Sequence, residues 1–149
     1  MNISDQTVKK LLLNSGWNSG REVNTGMFKE MALKEGYMWF LAVDKFLGEF
    51  GDLRIDFTRK DGKNDFFHFD AVKAMADIAP EWIKEDYSPR LNNVDLCPIG
   101  QAFTSHMTLM IDEQGLIYGG YDEVLCLIGI NPEEALVSIC HNKELREIV

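Results

Sequence analysis

Cysteine is scarce in this chain and scattered along it. The 149 residues include three cysteines, Cys97, Cys126 and Cys140, and no Cys-x-x-Cys spacing. An odd, widely spaced set argues against both a disulfide framework and a zinc site. Each cysteine lies among apolar residues, so we expect three free thiols in the core of a protein from a reducing compartment.

Long apolar runs are also missing. The most apolar run, residues 37–43, is far shorter than the roughly 20 residues that a membrane-spanning helix needs. Residues 1–5 have neither a basic flank nor an apolar stretch and lead directly into an amphipathic helix, unlike a signal peptide. These features predict a cytoplasmic protein without a membrane partner.

The common catalytic motifs are absent. There is no Gly-x-x-x-x-Gly-Lys, no Gly-x-Gly-x-x-Gly after a strand and no Gly-x-Ser-x-Gly elbow. Ser105, His106 and Asp112 are the three residue types of a catalytic triad, but any chain of this length contains such residues by chance. His68 and Asp70 offer two metal ligands without a third, and His68 is expected on the solvent side of its strand. We therefore expect no catalytic site, no metal and no cofactor, with a small hydrolase as a distant alternative.

Basic residues are few in one part of the chain. The net charge is −9, yet residues 1–76 contain eleven acidic and eleven basic residues. Residues 77–134 contain eleven acidic residues and only two basic ones, Lys84 and Arg90. Direct nucleic-acid binding is disfavoured, because phosphate contacts need clustered lysine and arginine. We expect these acidic residues to gather on one exposed acidic surface, whose natural complement is a basic protein partner. The alternative is that their charge only aids solubility.

The stretch "GWNSGR" places an aromatic residue between two glycines. A first helix is predicted to begin with a cap at Ser4 and to end at Gly16 in the left-handed conformation. Trp17 then packs back on the last apolar turn of this helix, an interpretation we prefer to ligand stacking. Arg21 is placed to bond exposed helix carbonyls or a carboxylate.

Hydrophobic periodicity predicts an α+β fold. The predicted helices, after the first, are 25–35, 39–50, 71–79 capped by Asp70, one from Pro80 that ends before Pro89, and one capped by Asn131. The predicted strands are 53–57 and 65–69 around an Asp61–Gly62 turn, and 107–111 and 116–120 around a "DEQG" turn. "DLCPIG" is expected to end a strand in a turn, and "EVLCLIGI" is either a strand buried on both faces or a loop. We predict one domain over residues 1–149, with helices packed on an antiparallel or mixed sheet.

Five motifs in order resemble one protein family. They are "GWNSGR", "FLGEFGDLRI", "LCPIG", "LMIDEQGLIYGG" and "IGINPEEAL", and the resemblance covers roughly residues 11–139. Together they resemble the SUKH superfamily, in particular its third immunity-protein subtype. The chain departs from the family where members often have two glycines before the leucine, since it has Gly51-Asp52-Leu53. Trp17, Arg21, Gly51 and Gly100 match family motifs and are interpreted as determinants of the fold.

The resemblance implies a non-enzymatic role. Bacterial members protect their own cell by binding a secreted polymorphic toxin, often a nuclease or nucleic-acid deaminase, which tends to present a basic surface. This implies a cognate toxin as partner. The runner-up is a ligand-binding or scaffold module in cell regulation.

Nine residues of the acidic segment are candidates for partner binding. Most are acids, on helical positions or in turns, and two are aromatic anchors. For Trp82 the alternative is simple burial, and for the turn acids it is a solvated turn. The candidates are Glu81, Trp82, Glu85, Asp86, Asp112, Glu113, Tyr121, Asp122 and Glu123.

Overall fold

The computed structural model describes residues 1–149 and begins with helix α1, Gln6–Asn14. Asp5 caps this helix, because its side chain accepts a hydrogen bond from the Val8 amide at 2.9 Å. The prediction of a cap at Ser4 is therefore wrong by one residue. Ser4 instead donates hydrogen bonds from its amide and its hydroxyl to the Glu133 carboxylate, each at 2.7 Å.

The end of α1 follows the prediction. Gly16 has a φ of +102°, in the left-handed region that favours glycine. The Trp17 amide then bonds the Leu12 carbonyl at 3.0 Å, as in a Schellman motif. The Trp17 ring is 3% exposed and stacks on Phe50, with the ring centroids 6.4 Å apart. Its indole N–H donates to the Glu49 carboxylate at 2.9 Å, so Trp17 joins the first helix to the third.

Arg21 lies at the end of helix α3, Leu41–Phe50. Its guanidinium donates to the Glu49 carbonyl at 2.6 Å and to the Gly51 carbonyl at 2.8 Å. The last carbonyls of a helix have no partner within it and carry partial negative charge. Arg21 therefore stabilises the end of α3, and of the two partners predicted for it, the helix carbonyls are confirmed.

Helix α2, Gly26–Glu35, ends at Gly36, where φ is +90°. The end of α3 is different, because Gly51 has a φ of −53° and the left-handed residue is Asp52, with φ +65°. Gly51 is needed for space, since a Cβ there would lie 2.5 Å from the Leu47 carbonyl oxygen. Position 52, where similar proteins often have a second glycine before the leucine, thus has a left-handed backbone conformation.

We expect Asp52→Gly to raise the free energy of unfolding by about 0.5–1 kcal/mol, because glycine adopts the left-handed region without the Cβ penalty. Urea denaturation measures this change. The matched control is Asp56→Gly within the first strand, where glycine weakens the strand and lowers stability. A loss of stability in both variants would contradict the explanation.

The centre of the fold is a seven-stranded antiparallel sheet in which the strands follow chain order. The predicted α+β class, the hairpins and the strand interpretation of "EVLCLIGI" are confirmed, and the last strand was not predicted. The strands are β1 Arg54–Thr58, β2 Asn64–His68, β3 Leu96–Ala102, β4 Met107–Asp112, β5 Ile117–Tyr121, β6 Val124–Gly129 and β7 Arg146–Glu147.

Strand β3 includes the "CPIG" motif that was predicted to form a turn. The register of its pairing with β4 shifts between Pro98 and Gly100. Such a bulge accommodates a proline, which has no amide hydrogen for the ladder. A Cβ on Gly100 would lie 2.0 Å from the His68 carbonyl oxygen. The predicted turn is wrong, and Gly100 instead allows β2 to lie close against β3.

The remaining helical elements are α4 Ala71–Ala76, α5 Pro80–Trp82, a π-helical turn Ile83–Tyr87, a 3-10 turn Ser88–Leu91 and α6 Pro132–Cys140. The caps predicted at Asp70 and Asn131 are confirmed, since their side chains accept from the amides of Lys73 and Glu134. The helical path does not end before Pro89, because a proline fits the first turn of a helix, where its missing amide hydrogen is not needed.

Both faces of the central strands are covered. Thr108 and Gly120 are cross-strand partners, and Gly120 lies against the ring of Tyr87. Ile111 points to the opposite face, since side chains alternate along a strand, and there it lies beside Phe46 of α3. None of the helices combines the length and apolarity that crossing a bilayer requires.

Candidate functional site

The turn between β5 and β6 is docked onto the helical segment that follows Pro80. The carbonyl oxygen of Asp122 accepts two hydrogen bonds, from the Trp82 indole N–H at 2.9 Å and from the Tyr87 hydroxyl at 2.8 Å. Asp122 has a φ of +47°, a conformation that a short-chain aspartate tolerates better than most residues. Two segments 35–40 residues apart in sequence are thereby fixed beside each other.

Tyr87 is the buried support of this contact. Its side chain is fully buried, and the Trp82 ring meets it edge to face at 6.2 Å between centroids. Burial raises the pKa of the Tyr87 hydroxyl, so that it stays a protonated donor. A Cβ on Gly120 would lie 2.6 Å from the Tyr87 ring, so only glycine gives the ring this position.

Arg90 also holds the same turn. Its guanidinium donates to the Glu123 carbonyl at 2.9 Å and to the Ile148 carbonyl at 3.0 Å. It also forms an ion pair with the Asp86 carboxylate, one helical turn away. Asp86, a predicted candidate, therefore lies near the turn with its charge already matched by an arginine of its own chain.

A surface cavity of about 550 Å³ opens beside the docked turn. We call it the β5–β6 groove. The ring of His106 lies 4.6 Å from the ring of Tyr121 within it, and no lysine or arginine is among its lining residues. The groove is formed mainly by Asp77, Trp82, His106, Tyr121, Asp122 and Glu123, over a floor of Thr108 and Gly120.

Four of the candidates, Trp82, Tyr121, Asp122 and Glu123, thus lie at one site or its rim. Trp82 is 39% exposed, so the alternative of a buried tryptophan does not apply. Glu81 and Glu85 are exposed on the adjoining helical segment, outside the groove lining. Sequence reasoning did not select Asp77, His106 or Thr108 for this site. Asp77 comes from the end of α4, and His106 and Thr108 come from the start of β4, so only the tertiary fold brings them to the groove.

Asp112 and Glu113 lie elsewhere. They form the β4–β5 turn, at the opposite end of β5 from the turn at Asp122. Asp112 is 5% exposed, and its carboxylate accepts bonds from the amides of Gln114 and Leu116 and from the Tyr118 hydroxyl. Asp112 is therefore a turn-forming residue that is not exposed for contact with a partner.

The eleven acids of residues 77–134 do not share one surface. The strand ends at Leu96, Asp112, Ile117 and Gly129 are neighbours in the sheet. Four further acids next to these strand ends, Asp95, Glu113, Glu133 and Glu134, therefore lie at the end of the sheet away from the groove. The expectation of a single acidic surface is wrong, and only part of the excess charge lies near the groove.

Ser105, His106 and Asp112 do not form a catalytic triad, because they do not lie together. Phe103, Thr104 and Ser105 all have positive φ values, between 54° and 63°, in the loop from β3 to β4. The Thr104 hydroxyl donates to the Asp65 carboxylate at 3.0 Å, which helps to hold this loop. The Ser105 hydroxyl is buried without a hydrogen-bond partner, and Asp112 lies at the far end of β4.

His68 is buried, at 6% exposure, and not on the solvent side as predicted. Its Nδ1 accepts from the Asp70 amide at 3.0 Å, so its Nε2 carries the proton and donates to the Gln101 side chain at 2.7 Å. Gln101 in turn donates to the Asp77 carboxylate at 2.8 Å. The histidine thus belongs to a polar chain beneath the groove, and no group of three potential metal ligands is present in the protein.

The pKa of His68 supports a pH prediction. Burial lowers this pKa below its ordinary value of 6.5, so the unfolded chain binds a proton more readily than the native protein. The contribution of His68 to stability is complete above the unfolded pKa and is lost as pH falls toward the native one. We expect the urea concentration at the unfolding midpoint to decrease as the pH is lowered from about 7.5 to about 5.5. This decrease should be smaller in His68→Gln. His106→Gln, at an exposed site, is the control that should keep the wild-type dependence.

The cysteines are free and buried, as predicted. Burial raises the pKa of Cys97 to about 12 and that of Cys140 to about 12. Both thiols therefore stay protonated at neutral pH and pack as small apolar groups.

The fold and the groove define an α+β protein whose surface groove combines aromatic rings with carboxylates. A family model described as SUKH-3 immunity protein matches residues 4–142, and the chain belongs to the SUKH-3 immunity protein family. The resemblance drawn from the five motifs is confirmed. Membership supports an immunity role and implies a cognate toxin as partner. No match was found among curated proteins or solved structures.

Proposed function

We propose that this chain neutralises a secreted polymorphic toxin by binding it in a stoichiometric complex, without catalysis and without a cofactor. The binding surface consists of the β5–β6 groove and the exposed acids of the adjoining helical segment, Glu81 and Glu85. One observation carries this choice: the groove contains exposed carboxylates and a rigidly held, part-exposed Trp82, and neither lysine nor arginine is among its lining residues. Aromatic anchors among charges of one sign are typical of specific protein-binding surfaces.

The toxin is proposed to be a nuclease. An enzyme that binds nucleic acid presents clustered lysine and arginine to phosphates. Carboxylates placed against that surface occupy the positions of the phosphates and speed encounter through opposite fields. The complex forms in the cytoplasm of the producing cell and involves neither direct nucleic-acid contact nor a membrane. We take residues 1–149 as one domain, since β7, which follows the matched range, pairs with β6.

Co-expression with the toxin encoded beside this gene tests the role. We expect this chain to restore growth and to co-elute with the toxin as a complex of fixed stoichiometry. The association rate should fall steeply as salt is raised from about 0.05 to about 0.5 M, because screening removes the steering. A chain that neither restores growth nor binds the toxin would contradict the proposal.

A second candidate is a ligand-binding module in cell regulation. The volume of the groove, about 550 Å³, lies within the range typical of small-molecule sites. This alternative predicts a phenotype on deletion in cells that lack the neighbouring toxin, whereas an immunity role predicts none.

A further inference from the structure

We propose that the β5–β6 groove receives one arginine side chain of the partner protein, with the guanidinium bonded to carboxylates and packed on aromatic rings. This inference rests on the proposed function and specifies the chemistry that the groove recognises.

The first support is a set of free acceptors. The carboxylates of Asp122 and Glu123 form no hydrogen bond or ion pair within the chain, although the backbone carbonyls of both residues are used. Asp77 uses one carboxylate oxygen to accept from Gln101, and its other oxygen has no partner. Of the cations nearest in sequence, Arg90 pairs with Asp86, Lys84 lies toward Gly36, and Lys73 forms no ion pair with Asp77. The groove therefore has negative charge that no residue of the chain neutralises.

The second support is a free hydroxyl at the floor of the groove. Thr108 is 7% exposed and lies at the floor of the groove. No hydrogen bond within the chain uses its hydroxyl, and this oxygen is not one of the fully buried atoms without a partner, so it is open to the groove. Its cross-strand partner is Gly120, against which the Tyr87 ring packs, so Thr108 and Tyr87 lie side by side at the floor. A partner N–H group that enters the groove can therefore donate a hydrogen bond to the Thr108 hydroxyl.

The third support is the placement of the rings. The Trp82 ring is part-exposed and is held by its indole hydrogen bond and by Tyr87, and Tyr121 lies against His106. Ordered rings lose little conformational freedom on binding. A guanidinium is planar, stacks on aromatic faces and offers five donors, so it matches this lining better than a lysine ammonium, which is a point charge. A metal ion is disfavoured, since no three ligands converge in the protein.

The test uses the full chain labelled with ¹⁵N and three tripeptide amides, acetyl-Gly-X-Gly, in which X is arginine, citrulline or lysine. Citrulline keeps the shape of arginine without the charge. We expect the arginine peptide to shift the Trp82 indole resonance saturably at about millimolar concentration, with binding at least tenfold weaker for citrulline and for lysine. Trp82→Phe assigns the resonance among the three tryptophans of the chain.

Variants of the chain test whether the arginine peptide binds in the β5–β6 groove. Asp122→Asn and Thr108→Val should each weaken arginine-peptide binding about three- to tenfold, while Glu113→Gln at the far end of β5 should leave it unchanged. No shift with arginine, or equal binding of arginine and citrulline, would overturn the inference. Equal binding of lysine would overturn the guanidinium assignment. Restored growth with the toxin but no arginine binding removes this inference alone, and arginine binding without rescue removes the immunity proposal instead.

Discussion

Replacing Asp122 with asparagine and Glu123 with lysine is expected to weaken toxin binding about 100-fold, which is about 2.7 kcal/mol. The two carboxylates are unpaired in the free protein, so a cationic partner supplies their only strong interaction. Asparagine tolerates the left-handed backbone at position 122, so the variant keeps its fold. Calorimetric titration of the purified toxin measures the change in affinity.

The control carries the same change in net charge at the other end of the sheet. Glu113→Gln combined with Glu134→Lys alters two exposed acids that lie away from the groove. We expect its affinity to stay within about threefold of wild type, because solvent screens charges at that distance. Equal losses in the two double variants would show that overall charge, and not the groove, determines binding.

Replacing Trp17 with alanine is expected to lower the free energy of unfolding by about 3–5 kcal/mol. The ring is 3% exposed, stacks on Phe50 and donates to Glu49, so its removal leaves a cavity between the first and third helices and takes one of the two hydrogen bonds from the Glu49 carboxylate. Urea denaturation monitored by circular dichroism measures this loss. Trp17→Phe, which keeps an aromatic ring, should lose less than half as much.

Trp82→Ala provides the complementary result. This tryptophan is 39% exposed, so we expect a loss of stability of no more than about 1.5 kcal/mol. Its effect on toxin affinity should be larger, about 2 kcal/mol or more, as for aromatic hot spots in other interfaces. If Trp17→Ala abolished toxin binding in a protein that remained folded, the division between a structural and a binding tryptophan would be wrong.

The elements predicted correctly from the sequence are those with local causes. The cap at Asn131, the left-handed stop at Gly16 and the hairpin at Gly62 each depend on residues within a few positions. The first helix was misplaced at its start because Ser4 and Asp5 are both good caps, and only the bond from Ser4 to Glu133, 129 residues away, separates them. Pro98 was read as a turn because its bulge depends on pairing with β4.

The candidate site was predicted only in part. The contact of Trp82 with Asp122 spans 40 residues, and no local pattern indicates it. The separation of Asp112 from Asp122 did have a signal, since a short strand between two turns places those turns at opposite ends. The burial of Asp112 had one as well, because an aspartate that opens a tight turn commonly bonds the following amides.

Hydrogen exchange of the chain alone and in complex with its toxin tests most directly whether the groove is the binding surface. The predicted result is added protection of amides in residues 80–91 and 119–124, with none in residues 112–116. Protection confined to residues 112–116 and to the first turns of α1 and α6 would contradict binding at the groove and assign the partner to the opposite end of the sheet.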